Sequence, residues 1–262
     1  MTKYLLVALK SLKSQTAYRS TMLFSLVRSL LYFAIQVSLW TAFIGSGVKN
    51  DTTLEDMILY ILVNSMILTL TQANLAPMIE ASVMDGSVAM HFLRPISYKG
   101  YLFASILGKN AYRLITDVLP LLVVSFFFQG LHLPSSPVYM ILFVLSTFVG
   151  MLIMFELHYV VGLLAFWIQR CWFLRWYLNA GTTFFGGTVV PLWFYPEVLN
   201  EVSRFLPFRY ITFEPVNFFL ERTPLDQAWG FLLIGVLWLV LLTILDQVMW
   251  RLATQKITVN GG

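Results

Sequence analysis

The chain has 262 residues, 58% of them hydrophobic and 11% charged, with a formal net charge of +4 at pH 7. Soluble domains carry about 25% charged residues, so this chain is too poor in charge to cover a water-facing surface, and lipid must be the solvent for much of it. Its one cysteine, Cys171, excludes an intramolecular disulfide framework and any cysteine cluster for a metal or iron–sulfur centre.

At the N-terminus, Leu5, Ala8, Leu9 and Leu12 share one arc of a helical wheel, with Lys3, Lys10 and Lys13 roughly opposite. Residues 2–16 therefore read as an amphipathic helix lying on the inner membrane surface, its lysines meeting anionic headgroups. The lysines interrupt the segment and no small-residue cleavage pattern follows, so it is not a signal peptide. Six apolar segments then reach the ~20 residues that a helix needs to cross a bilayer: 22–44, 54–75, about 105–128, 138–168, 173–193 and 229–250. The expected fold class is all-α integral membrane, with six transmembrane helices, because open sheet leaves backbone groups unpaired in lipid. The fourth segment is longer than required and is expected to tilt, kink near Gly150 or project. Pro77 is expected to end the second span.

Lys and Arg set the orientation. With the N-terminus inside, the cytoplasmic side receives Arg94, Lys99, Arg170, Arg175, Arg251 and Lys256, and the outer side only Lys49, Arg204, Arg209 and Arg222. Both termini then face the cytoplasm.

Between the second and third spans lies MIEASVMDGSVAMHFLRPISY (78–98). Helix formers flank Asp85–Gly86, and Pro95 fixes the backbone before the next helix. The segment reads as a helix–turn element beneath the membrane exposing Asp85, His91 and Arg94, suited either to docking on another protein or to connecting two spans. Three acidic residues fall within spans. Asp117 is one turn after Arg113, spacing that predicts a self-neutralising pair. Asp246, near Arg251, is expected to be solvated or to snorkel at the inner interface. Glu156 has no cation nearby in sequence. It is expected to be neutral, paired across helices, held in a buried hydrogen bond or, with Asp117 and aromatic residues such as Tyr159, to line a substrate path, where carboxylate and π faces would suit a hydrophobic cation. Residues 194–228 read as two short amphipathic helices separated near Pro207 and Pro215, the first with an apolar face of Leu199, Val202, Phe205 and Leu206. They form either an outer cap on a pore or an ordinary interfacial loop.

No G-x-x-x-x-G-K-[ST] loop is present, and LGKN (107–110) lacks the upstream glycine spacing. His91, His132 and His158 map to different depths and cannot converge on a nucleophile, so the chain is not expected to be an enzyme. A channel or scaffold is the other class left open, although only the second span approaches a polar stripe.

Two stretches carry a family resemblance. DGSVAMHFLRPISY (Asp85–Tyr98) and FFGGTVVPLWFYPEVLNEVSRFLPFRYITFEPVNFFL (Phe184–Leu220) resemble the inner loop and the outer re-entrant segment of permease subunits of type-2 ABC exporters, most like the subgroup with viologen and multidrug exporters. The resemblance implies a single transmembrane domain over 1–262, with an interfacial helix at 2–16, a coupling loop at 78–98 and re-entrant helices at 194–228. Met84, Asp85, Gly86, His91, Arg94 and Pro95 would contact a separate ABC ATPase subunit, with His91 and Arg94 as the first choice of polar anchors. Phe205, Leu206, Pro207 and Phe208 would form an outer gate. No cofactor would bind this chain; ATP and Mg would sit on the ATPase. A second permease, a copy or a related chain, would complete the pore in a bacterial inner membrane, with no nucleic acid involved. The cargo would be hydrophobic or amphipathic, cationic drugs included, with lipid, glycan and peptide as alternatives.

Overall fold

The computed structural model describes residues 2–16, 19–46, 52–93, 95–128, 133–168 and 170–256. Lys49, Arg94 and His132 lie outside the described residues. All the regular structure among them is helical: α1 (Thr2–Thr16), α2 (Arg19–Gly45), α3 (Leu54–Thr71), α4 (Ala76–Met84), α5 (Val88–Phe92), α6 (Tyr98–Arg113), a π-helical stretch (Leu114–Val118), α7 (Leu119–Phe128), α8 (Pro137–Leu163), α9 (Ala165–Ile168), α10 (Leu174–Phe185), α11 (Glu197–Arg204), α12 (Phe213–Phe219) and α13 (Leu225–Thr254), with single 3₁₀ turns at Leu192–Phe194 and Pro207–Tyr210.

Four stretches are long and apolar enough to cross a membrane: Leu23–Gly45, Leu54–Met84, Pro137–Ile168 and Leu225–Thr254. They coincide with the expected first, second, fourth and sixth spans. The expected third span is helical but composite. It runs through α6, the π-helical stretch and α7, and carries Lys109, Arg113 and Asp117. In the expected fifth segment, 173–193, regular helix stops at Phe185, so α10 has 12 residues and a length of about 18 Å, well short of a ~30 Å hydrocarbon core. Gly186 and Gly187 turn the chain there, Gly187 at φ 67°.

The helix starts follow local sequence rules. Thr53 caps α3 in a reciprocal box with Asp56. Ser97 accepts the Gly100 N–H at the start of α6, and Ser136 accepts from Val138 ahead of Pro137 in α8. Pro77 does not end the second span as expected. α3 stops at Thr71, residues 72–75 are non-helical, and Pro77 sits in the first turn of α4, where its missing N–H costs no helical bond.

α8 is the central post, packed against α13, α12, α4, α3 and α10. One apolar cluster at its C-terminal half gathers Ile79, Tyr98, Leu102, Phe155, Tyr159 and Leu163. A second, built on α3, gathers Trp40, Met57, Tyr60, Ile67, Phe213 and Val216 at the other end. The lipid-solvent reading explains the remainder: Leu233, Leu237, Leu241, Ile244 and Val248 of α13 are all exposed.

α1 forms as expected but is turned differently. It lies along α6, where a Cβ at Gly108 would come within 2.0 Å of the Ala8 carbonyl oxygen, so only glycine admits this approach. Ala8 and Leu12 are half-buried, whereas Leu5 and Leu9 stay exposed with Leu6 beside Lys3, Lys10 and Lys13. Part of the predicted apolar arc is consumed by the helix contact, and the rest faces outward beside the lysines.

Candidate functional site

The segment 76–98 is a helical knob. α4 and α5 meet at Asp85–Gly86, with Gly86 at φ 73° and Asp85 Oδ1 accepting the Ser87 N–H at 2.8 Å. The Ser87 hydroxyl and backbone N–H hold the Asp85 carboxyl below its usual range. Met84, Met90 and Leu93 project from the knob, Leu93 being 79% exposed, while Val88 is buried underneath. Asp85, Gly86 and Pro95 are exposed as well. His91 is turned inward instead, its ring 4.8 Å from Tyr98 and 5.0 Å from Tyr101. Among the described residues the expected docking set therefore has an apolar rim of Met84, Met90 and Leu93, while His91 is half-buried.

The base of the knob is tied to its neighbours by hydroxyls. Ser82 Oγ lies 2.8 Å from Tyr98 Oη, joining α4 to α6, and the Ser97 N–H donates to Tyr4 Oη at 3.2 Å, joining α1 to the same corner. Behind the knob, Glu80 accepts from the backbone N–H of Cys171 at 3.1 Å and lies 3.4 Å from its Sγ. Burial, with the Glu80 carboxylate beside it, pushes the Cys171 thiol up to about 12. Maleimide labelling of the native protein at pH 8 is accordingly expected to run about a thousandfold slower than that of an ordinary thiol, because so little thiolate is present, and to become fast on denaturation. Labelling at the free-thiol rate in the folded protein would contradict this.

Lys99, in the first turn of α6, carries the next link. Its Nζ lies 2.6 Å from Glu156 Oε1 of α8 and is also in ion-pair contact with Asp246 of α13. It sits over the Tyr159 ring at 5.6 Å from the centroid. One ammonium thus pins three helices that are remote in sequence. Glu156 is 5% and Asp246 1% exposed, and Glu156 Oε2 and Asp246 Oδ1 have no hydrogen-bond partner among the described residues. The cluster sets two carboxylates against one ammonium. Beside it opens a cleft of about 460 Å³ lined by His91, Tyr98, Lys99, Tyr159, Asp246 and Trp250, among others. The Tyr98 and Trp250 rings stack at 5.6 Å.

Two expectations are corrected here. Asp246 is not solvated at the interface; it is buried against Lys99. Asp117 does not pair with Arg113. The stretch between them is π-helical, and each side chain takes its hydrogen bonds elsewhere. Asp117 Oδ1 instead accepts from Ser25 at 2.6 Å and Thr116 at 2.9 Å, while Arg113 donates to Gln72 at 2.5 Å. Of the expected substrate-path residues, the structure brings together Glu156 and Tyr159 through Lys99 and leaves Asp117 outside that group.

At the opposite end, α11, the Pro207–Tyr210 turn and α12 fold around Arg209. Its Nε donates to Glu214 Oε1 at 2.5 Å, and its Nη1 donates to Asn200 Oδ1 at 2.6 Å and Ser203 Oγ at 2.8 Å. The guanidinium lies over Phe213 at 4.8 Å. Pro207 is buried and Phe208 half-buried against Gly181, Leu206 is half-buried, and Phe205 is 77% exposed. Of the expected apolar face, Val202 and Phe205 are exposed and Leu199 and Leu206 half-buried, with Val198 exposed beside them.

The family model described as ABC-2 family transporter protein matches residues 30–261, from within α2 to beyond α13. No curated protein matches the chain. A match of that extent, over a chain whose helices are built to cross lipid several times, means that the protein belongs to the ABC-2 transporter family, as a multi-pass membrane permease of an ABC exporter and a non-catalytic partner of an ABC ATPase.

Proposed function

We propose that the knob at 76–98 is the seat of the ATPase and that Lys99 passes its movement to the membrane helices. The supporting observation is the position of Lys99: two residues beyond Ser97, at the root of the knob, bonded at once to α8 and α13. In this reading a rotation of the knob is carried to that ion pairing through the start of α6. The exposed Met84, Met90 and Leu93 suit insertion into an apolar groove, and Asp85 sets a charge at the tip. Arg94 completes the docking set in this reading.

In the same reading the chain makes six crossings, the composite α6–α7 segment and α10 with its turn supplying the third and fifth, with both termini in the cytoplasm of a bacterial inner membrane. A second permease, related or identical, supplies the other half of the pore, and Phe205 to Phe208 border its outer mouth. The cleft at Lys99 combines excess carboxylate with the rings of Tyr98, Tyr159 and Trp250, a combination that favours an amphipathic organic cation as cargo. That preference agrees with the Leu93-Arg94-Pro95-Ile96-Ser97 resemblance to viologen and multidrug exporters.

Co-purification with the ATPase tests the docking surface. The double change Met90→Asp with Leu93→Asp is expected to release the ATPase from the detergent-solubilised complex, while leaving the permease folded, because both side chains point outward. Undiminished ATPase retention in a folded double variant would count against the knob.

A further inference from the structure

Glu156 and His158 are two residues apart on α8, so their side chains leave the helix in nearly opposite directions. Glu156 meets Lys99. His158 lines a second cleft, of about 190 Å³, together with Gln72 and Asn74 from the break between α3 and α4 and with Arg175, Trp176 and Asn179 from α10. The break after Thr71 is what opens this space, and it places two amide side chains at its wall.

The polar groups of this lining are amides, an imidazole and a guanidinium, with no carboxylate. Arg175 Nη1 donates to Asn74 Oδ1 at 3.1 Å, and Arg113 holds Gln72 from behind. Among the described residues neither Arg113 nor Arg175 is in an ion pair; the five ion pairs present involve Lys99, Arg204, Arg209 and Arg222. His158 is 3% exposed, and its Nδ1 has no hydrogen-bond partner among the described residues. A guanidinium that has no ion-pair partner among the described residues, set with an imidazole and amide side chains in one cleft lining, is an arrangement that suits an anion with several acceptor oxygens. The space is smaller than the ~300–1,000 Å³ of sites for drug-sized ligands, but it accommodates a phosphate group.

We propose that this cleft binds the phosphate of an anionic phospholipid headgroup, held by Arg175 and His158 with the Asn74 and Asn179 amides beside them. The lipid source follows from what flanks it. Trp176 and Tyr177 are 62% and 71% exposed on the same turn of α10, in the manner of aromatic residues at a membrane interface, where acyl chains of a seated lipid would lie. Basic pockets between membrane helices select headgroups in this way. The site is separate from the Lys99 cleft, across the body of α8, and holds the break between α3 and α4 in place from the lipid side.

Native mass spectrometry of the full chain in mild detergent, with phosphatidylglycerol and phosphatidylcholine added in turn, tests this. Phosphatidylglycerol is expected to be retained in preference to phosphatidylcholine. Arg175→Gln and, separately, Asn74→Asp, which places a carboxylate against Arg175, should each reduce that retention about tenfold, whereas Arg175→Lys keeps most of it. Asn74→Asp changes no volume, so it decides the matter if Arg175→Gln does not fold. Equal phosphatidylglycerol retention by the parent protein and Asn74→Asp would overturn the site. Displacement of the lipid by millimolar inorganic phosphate would overturn the lipid source and assign the cleft to the free anion.

Discussion

Replacing Lys99 with Met is expected to yield a permease that is less stable and does not transport. Glu156 and Asp246 would lose the one cation that contacts them among the described residues, and both carboxylates are almost completely buried. Removing one partner of a buried ion pair costs about 3–5 kcal/mol, and the lower end applies here because the Lys99 side chain is 32% exposed. Unfolding in detergent measures the stability, and efflux by the reconstituted complex measures the function. The triple variant Lys99→Met, Glu156→Gln, Asp246→Asn separates the two roles. Neutral side chains of similar shape remove the uncompensated charge, so most of the stability should return, yet the tie from α6 to α8 and α13 stays broken and transport should stay lost. Full transport by Lys99→Met would eliminate the tie as a mechanical element.

Arg209→Met is the second large effect, and its expected consequence is collapse of the segment between α10 and α13. The change removes the Glu214 ion pair, the bonds to Asn200 and Ser203, and the stacking on Phe213. Glu214 is 1% exposed and would lose its ion-pair partner, at a cost of about 3–5 kcal/mol. Arg209→Lys is expected to fall almost as far, because a single ammonium cannot reach the ring of acceptors that the planar guanidinium spans. The neighbouring Arg204–Glu201 pair, 3.1 Å apart and about half exposed at each end, supplies the control: Arg204→Met should change stability by less than about 1 kcal/mol. Thermal unfolding of the three variants side by side measures the contrast, and equal losses at both arginines would contradict this account of the segment.

What the sequence makes legible here is what depends on neighbours within a few turns. Charge poverty and the lengths of apolar runs identify a lipid-embedded helical chain. Asp85–Gly86 marks the turn of the knob. Errors arise where local periodicity is broken or where partners are distant. Asp117 and Arg113 are four residues apart, yet their hydrogen bonds go to Ser25 and Gln72, partners 92 and 41 positions away that no local spacing announces. The break at 72–75 precedes Pro77, so proline marked the start of α4 rather than the end of α3. Lys99 reads as one more basic loop residue, because its carboxylates are 57 and 147 positions away and no local pattern announces them. The same is true of His158 and Arg175, which become neighbours only when α10 packs on α8. Arg209 and Glu214 are five residues apart around a turn, a spacing that no helical wheel would pair.

Cysteine cross-linking to the ATPase tests the central claim most directly. Cys171, the only native cysteine, is buried and needs no removal. Met90→Cys at the exposed rim of the knob is expected to cross-link to the ATPase subunit in the assembled complex, with a yield that changes when nucleotide is added, while Val198→Cys on α11 does not cross-link. Cross-linking from Val198→Cys and none from Met90→Cys would contradict the account.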